Sequence, residues 1–412
     1  MRLHMIMCSI AAGTMLLHAQ FSSDAGDTKE QPAAGQHHTM IAAPPWASVS
    51  AVLKSDLWQV LRGGVASSSE FIGNADVMLT ADLGAAAGLT GSTFYAQFLA
   101  NNGGGVNHGI GEAQMVTNIE GYRTLRLYQC WVEKEFPDAQ VALLAGLFDL
   151  NAEFYVTPTS GVFLNASHGI GIDLSQTGTN GPSIFPSTAL AARVRIGLTE
   201  NVQTAAAVFD ASPGHPLDGA VFDATVRSQD GFLLISETDY SSSDGRKLAV
   251  GAWYYTGAYA TVCGEYGLEE YREVRQNGGL YLLADLPVYA EPGTDGEGVS
   301  LFSRFGIANA ELNAVGSFYG GGVVYTGLFD GRPSDKLGYA VARASFGNDH
   351  RAVCSSLGVE MAAFELVHEI TYRAVLTSWL TLQGDLQYVV HPSGSLNIRS
   401  ALAGGFRMET GF

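Results

Sequence analysis

The sequence predicts an all-β chain, a transmembrane antiparallel β-barrel of sixteen strands. Three observations carry that expectation. Apolar and polar residues alternate with period two through the closing 49 residues, from Phe364 to Phe412, the pattern of strands with one apolar and one wet face. From Trp46 onward, alternating runs of about ten residues recur between clusters of Gly, Asn, Asp, Ser or Pro, the rhythm of barrel strands and their turns. No segment after the first 20 residues supplies the roughly 18 uninterrupted apolar residues that a spanning helix needs.

The closing region shows the faces most clearly. Phe364, Leu366, Ile370, Tyr372, Ala374 and Leu376 share one face, broken only by His368. Glu365, Glu369, Thr371 and Arg373 take the other, with Val367 as the exception. Leu386, Tyr388 and Val390 alternate with Asp385, Gln387 and His391. Leu402, Phe406, Met408 and Phe412 oppose Arg399, Arg407 and Glu409. The chain stops on an aromatic residue of the apolar face, as expected of a strand that closes a barrel in lipid, where every edge must be paired.

The sixteen candidate strands are 57–67, 71–83, 92–100, 125–136, 141–150, 188–198, 202–210, 231–239, 247–256, 279–289, 299–308, 317–328, 337–346, 364–376, 380–390 and 399–412. Their number is even, as in single-chain bacterial barrels. A soluble β-sandwich also explains short apolar runs such as 141–148 (VALLAGLF). The strand count, the terminal Phe412 and the N-terminal segment oppose it. Residues 1–19 read as a secretory signal: Arg2 supplies the positive start, an apolar core follows, and Ala19 marks a cleavage site. Residues 20–45 read as a flexible polar leader containing the adjacent His37 and His38. Residues 46–412 form the barrel domain. Two connections are long, 101–124 and 151–187. Loops of that length are usually functional, and narrowing the channel or forming ordinary outside loops are equal expectations.

Charge narrows the function classes. Asp and Glu outnumber Lys and Arg by 40 to 22, a net charge of -18. Nucleic acid is therefore excluded as a partner, since phosphate recognition needs clustered cations. Cys130, Cys263 and Cys354 follow the signal. They are an odd set without CxxC or cysteine–histidine zinc spacing, so free thiols are expected and no metal or cofactor. The triple glycines at 103–105 and 320–322 are not G-x-G-x-x-G, and no G-x-S-x-G occurs. Glu133 and Glu135 stand about 7 Å apart on a strand face by the rise per residue. That spacing is too common to carry glycosidase chemistry, and no catalytic residue is expected.

Strand parity assigns the pore-lining candidates. Val194, Ile196 and Leu198 share the lipid face, so Arg193 and Arg195 point inward. Glu365, Glu369, Arg373, Asp385, Gln387, Arg399, Arg407 and Glu409 point inward by the same rule. Gln129, Trp131, Glu133 and Glu135 share one face, which places Trp131 inside with two carboxylates. Tyr128, Tyr372 and Tyr388 read as wall or interface aromatics. A lumen carrying both charge signs follows.

Several stretches, in order, resemble the carbohydrate-selective porin family of the OprB type. Asn118-Ile119-Glu120, then Arg126-Leu127-Tyr128, then Trp131-Val132-Glu133 before Phe136, are similar to its N-I-E and R-L-Y-E-x-W-Y-E-Q-x-F pattern. Gly146 and Asp149 resemble its L-x-x-G-x-x-D strand, Phe163 and Asn165 its F-x-N, and Pro186 with Ala189 its P-x-x-A-L turn. Glu369 with Tyr372-Arg373 resembles E-x-x-Y-R, and Asp385-Leu386-Gln387-Tyr388-Val389 its D-L-Q-Y-V. His391-Pro392 with Gly394 stands where N-P-G-G is usual, Gln129 replaces Glu, and Lys134 replaces Gln. The span 230–348 matches by strand rhythm alone. The resemblance implies passive, sugar-favouring diffusion across a bacterial outer membrane, with small sugars as solutes and outer-membrane lipid around the wall. The alternatives are a general or anion-preferring porin and a secreted carbohydrate-binding or hydrolytic β-protein. Monomer and homo-oligomer stay equally open.

Overall fold

The computed structural model describes residues 43–412, apart from 215–220, 227–229, 266–272 and 275–276. The expected signal and most of the leader therefore lie outside the described residues. Sixteen strands form the barrel: β1 (Ala47–Gly64), β2 (Ser69–Asp82), β3 (Ser92–Asn101), β4 (Thr124–Phe136), β5 (Val141–Phe148), β6 (Ala189–Gly197), β7 (Val202–Asp210) and β8 (Phe232–Ser241). The second half is β9 (Lys247–Tyr255), β10 (Asn277–Ala290), β11 (Gly298–Ala308), β12 (Val315–Thr326), β13 (Lys336–Phe346), β14 (Phe364–Thr377), β15 (Leu380–Val390) and β16 (Arg399–Gly411). Each strand pairs antiparallel with the next, and β1 pairs with β16 to close the ring. Closure leaves no unpaired edge, the condition lipid imposes on strands.

The wall shows two faces because its side chains alternate. Leu53 and Leu57 on β1, Ile370 on β14, Leu386 on β15 and Phe406 on β16 are exposed outward. Aromatic side chains ring both ends of this band. Trp46, Phe136, Tyr240, Tyr289, Trp379 and Phe412 are exposed at the end carrying the short turns, and Phe71, Phe232, Tyr254, Phe305, Tyr319 and Tyr388 at the other. Such girdles mark the two membrane interfaces. Both termini of the barrel and the turns 137–140, 198–201, 242–246 and 378–379 lie at one end, which is the periplasmic end by this rule. The long connections 102–123 and 149–188 leave from the other, extracellular, end.

Both long connections fold into the barrel. Val106, Ile110, Val116 and Ile119 of the first, and Leu164 and Ile172 of the second, pack against Trp58, Phe318, Val367 and Val389 of the wall. Leu150, Phe154, Tyr155, Ile170 and Leu174 pack against Leu144, Phe209, Ile235, Trp253 and Tyr281. Val367, the residue that breaks the alternation of β14, is one of these seats. An apolar side chain faces the interior there because a loop covers it.

Tyr128 departs from the wall position that parity assigns to it. It is fully buried and donates its hydroxyl to Asp149 Oδ2 at 2.6 Å. A register shift lies between Gln97 and Phe98, which pair with Gln129 and Leu127 and leave Tyr128 as the extra residue. A bulge of this kind turns adjacent side chains to the same side, so Tyr128 and Gln129 both face inward. Tyr388 stays exposed outside, as expected.

The seam between β1 and β16 carries a buried ion pair. Asp56 and Arg407 are directly opposed. Arg407 donates Nε to Asp56 Oδ1 at 2.7 Å and Nη2 to Oδ2 at 2.8 Å, and both residues are almost wholly buried. Trp58 Nε1 and Thr117 Oγ1 donate to the same carboxylate, at 3.2 and 2.5 Å. Gly405 opposes Trp58, and a Cβ on that glycine would stand 2.5 Å from the indole. Removing one partner of a buried pair strands the other charge and costs about 3–5 kcal/mol. We expect Asp56→Ala to lower the temperature at which the folded band converts to the unfolded one in heat-modifiability gels. An unchanged conversion temperature would refute this role.

Candidate functional site

The interior has two regions of different character. Over β14 to β16 and on β8, β10 and β11, inward polar groups are covered by loop backbone. Over β4 to β6, charged groups remain partly open.

In the covered region, wall carboxylates take up loop N–H groups. Glu365 accepts the backbone N–H of Ala113 at 2.8 Å, of Gln114 at 3.1 Å and of Ser393 at 2.5 Å. Glu369 accepts those of Leu164 at 2.6 Å and Asn165 at 3.1 Å. Glu237 accepts that of Tyr155 at 2.8 Å, and Asp285 accepts the backbone N–H of Thr159 at 2.7 Å and its hydroxyl at 2.5 Å. A loop inside a barrel has backbone donors that no strand satisfies, and these carboxylates satisfy them. Gln387 Nε2 donates to Val116 O at 2.7 Å, while Asn165 Nδ2 donates to Gln387 Oε1 at 3.0 Å. Asp385 accepts from Gln387 at 3.0 Å.

One cation works in the same way. Arg304, on β11, is 1% exposed. It donates Nη2 to Thr157 Oγ1 and Ser160 Oγ, both at 2.7 Å, and lies over the ring of Tyr155 at 5.6 Å. His168 is buried between Phe163 and Phe302, and burial lowers its pKa to about 3, which keeps the ring neutral. Burial raises the carboxyl of Asp149, at the foot of the second loop, to about 7, against the hydrogen bond from Tyr128.

The open region is built by the register of three strands. Glu133 pairs with Leu144 and Leu144 with Arg193; Glu135 pairs with Ala142 and Ala142 with Arg195. Charged residues two strands apart thus meet over a small or apolar one. Arg193 donates Nη2 to Glu133 Oε2 at 2.5 Å, and its Nε lies 2.7 Å from Glu153 Oε2 in an ion pair that is not a well-aligned hydrogen bond. Arg195 lies 3.6 Å from Glu133, 3.8 Å from Glu135 and 3.6 Å from Glu153. The side chain of Arg193 is 3% exposed and that of Arg195 is 28% exposed, so Arg195 is the guanidinium offered to the lumen. Burial pushes the Glu153 carboxyl above its ordinary value, and both guanidiniums pull it back. Beside this cluster, Trp131 stacks on Tyr95 with ring centroids 5.0 Å apart.

The pore-lining candidates assigned by parity therefore divide. Trp131, Glu133, Glu135, Arg193 and Arg195 come together on one wall. Arg373 and Glu409 form a separate half-exposed pair at 3.4 Å, and Arg399 is exposed at the rim. Glu365, Glu369, Asp385, Gln387 and Arg407 face inward but are buried beneath the loops or in the seam. That corrects the expectation that these five line the open pore, and the reason is the infolding of both loops. Sequence reasoning misses Glu153, Tyr95, Glu237, Asp285 and Arg304. Strand parity is the available signal for all except Glu153, which lies on a loop.

Known proteins share this architecture. The model of the carbohydrate-selective porin, OprB family, matches residues 69–412. Porin B of Pseudomonas aeruginosa is 26% identical over 318 residues, covering 70% of this chain and 69% of that protein. The high-pH structure of OprB from Pseudomonas putida superposes with a TM-score of 0.81 at 22% identity, over 89% of this chain and 94% of that one. The outer membrane channel DcaP of Acinetobacter baumannii superposes with a TM-score of 0.54 at 9% identity, over 90% and 99%. These two likenesses show the fold.

Proposed function

The chain belongs to the OprB family of carbohydrate-selective porins, and from that premise we propose that Tyr95, Trp131, Glu133, Glu153 and Arg195 form the surface on which glucose-type sugars slide through its lumen. The protein is an outer-membrane carbohydrate porin, a channel rather than an enzyme. The proposal concerns which groups meet the sugar. The observation that carries it is the juxtaposition of a stacked aromatic pair with guanidinium and carboxylate groups that are only partly enclosed.

A sugar presents an apolar ring face and a rim of hydroxyls. The indole and phenol rings suit the face. Arg195 donates to hydroxyl oxygens, and Glu133 and Glu153 accept from hydroxyl hydrogens. Each charged group already has a partner, so it offers one replacement contact without holding the solute, the balance that conduction requires. Three carboxylates against two guanidiniums in the cluster oppose an anion-preferring pore, and the two loops narrow the route. Diffusion here is passive, with no catalytic step.

The test is liposome swelling with purified Trp131→Ala and Arg195→Gln proteins. Losing a stacking surface or a hydrogen bond worth roughly 0.5–1.5 kcal/mol changes a rate by about two- to tenfold. Glucose entry should fall by that order while entry of an amino acid of similar mass changes less. Equal effects on both solutes would sink the assignment of these side chains.

A further inference from the structure

We propose that the β3–β4 connection carries a binding site for a hard divalent cation of the calcium type, with Glu112 and Glu120 as charged ligands and Gln114 and Asn118 as neutral oxygen donors. This site does not touch the sugar-facing cluster, and the inference does not depend on that reading.

The observation is a set of unmatched oxygens. Glu112, Gln114, Asn118 and Glu120 are each between 2% and 4% exposed. Glu112 Oε2, Gln114 Oε1, Asn118 Oδ1 and Glu120 Oε2 have no hydrogen-bond partner among the described residues. All four are acceptors, and all come from one nine-residue stretch that includes the Asn118-Ile119-Glu120 motif. Buried polar groups are ordinarily paired with protein, water or an ion, and four acceptors without a protein donor suit a positive centre.

The remaining atoms of these side chains are largely fixed. The backbone N–H of Val116 donates to Glu112 Oε1 at 3.3 Å, and that of Asn107 donates to Glu120 Oε1 at 3.1 Å. Gln114 Nε2 donates to Glu365 Oε1 at 3.1 Å and to Ala342 O at 3.3 Å, which leaves its own oxygen over. Each of these three side chains thus has one atom anchored and one oxygen spare, as metal ligands do when other contacts orient them.

Charge points the same way. Glu112 lies within electrostatic reach of Glu120 and Glu365. Glu120 is in turn within electrostatic reach of Glu70, so acidic charge gathers at this turn. Arg407 reaches this turn through Thr117 Oγ1 at 3.0 Å but is already engaged bidentately by Asp56. A cation answers all four acceptors.

The donor set selects the kind of cation. Calcium takes carboxylate, amide-carbonyl, backbone and water oxygens in flexible geometry. Zinc and other softer ions want histidine or cysteine, and no group of three His, Cys, Asp or Glu side chains converges among the described residues. The bound ion would fasten the turn that Asp56 and Glu365 also hold, and so fix how far this loop enters the lumen.

The test is calorimetric titration of calcium chloride into folded, detergent-purified protein freed of metal by chelation. One saturable site is expected, with the thermal midpoint rising as calcium is added. The Glu112→Gln/Glu120→Gln double variant keeps the shapes and removes both charges. It should lose at least tenfold in affinity and the whole thermal response. Should that variant fail to give the folded, heat-modifiable band, Asn118→Ala serves instead, with affinity expected to fall several-fold. Absence of saturable binding to the native protein overturns the proposal. So does calcium binding that survives unchanged in whichever variant folds.

Discussion

Replacing Glu365 and Glu369 together by alanine should raise single-channel conductance in planar bilayers several-fold and abolish discrimination among solutes of sugar size. The two carboxylates hold five backbone N–H groups, three on Glu365 and two on Glu369. Hydrogen bonds to a charged acceptor contribute roughly 1.5–3 kcal/mol each, and a buried donor left without its partner costs a similar amount. Four of these bonds come from the two long loops, and their loss exceeds what the apolar seats at Val367, Val389 and Phe318 can hold against the entropy of those loops. The ladder of β14 with its neighbours uses backbone groups alone, so the barrel stays closed and the loops leave the lumen. Conductance indistinguishable from that of the native channel would show that the carboxylates do not hold the loops.

Arg304→Lys should act in the same direction through the second loop alone. The guanidinium reaches Thr157 and Ser160 with one nitrogen, approaches the carbonyl of Ser167 at 3.5 Å with another, and lies over Tyr155 and Phe302. An ammonium keeps the charge but loses the planar fork and its stacking, and it is the more strongly hydrated group. In this enclosed position it cannot make all of these contacts at once. We expect noisier, larger conductance and faster proteolysis within 149–188, with little change in heat-modifiable migration. A protease-resistant loop and native conductance would assign Arg304 to the wall alone.

Much of the wall is legible in the sequence because a barrel strand has only two faces. The alternation that puts Leu386 and Tyr388 outside, and Asp385 and Gln387 inside, needs no more than the pleat. The interior is harder to read for a physical reason. Parity says that Glu365 points inward, but not whether water or a peptide N–H meets it there. Val367 holds the missing information. An apolar residue on a wet face means that something apolar covers it, and the two long connections are the natural candidates. Parity misplaces Tyr128 because a bulge changes the alternation without leaving a clear mark in sequence. Glu237, Asp285 and Arg304 lie where only strand rhythm resembles the family, so nothing draws attention to them. Arg193, Arg195, Glu133 and Glu135 are legible because their strands alternate regularly. Glu153, which completes the cluster from a loop, has no periodicity to announce it.

The most direct measurement is liposome swelling with the native protein, comparing glucose, a disaccharide and an amino acid of similar size to glucose. Glucose should enter faster than the amino acid, and the disaccharide should lag behind glucose because the infolded loops narrow the route. Entry rates ordered by molecular size alone, with the amino acid matching glucose, would contradict a sugar-selective lumen.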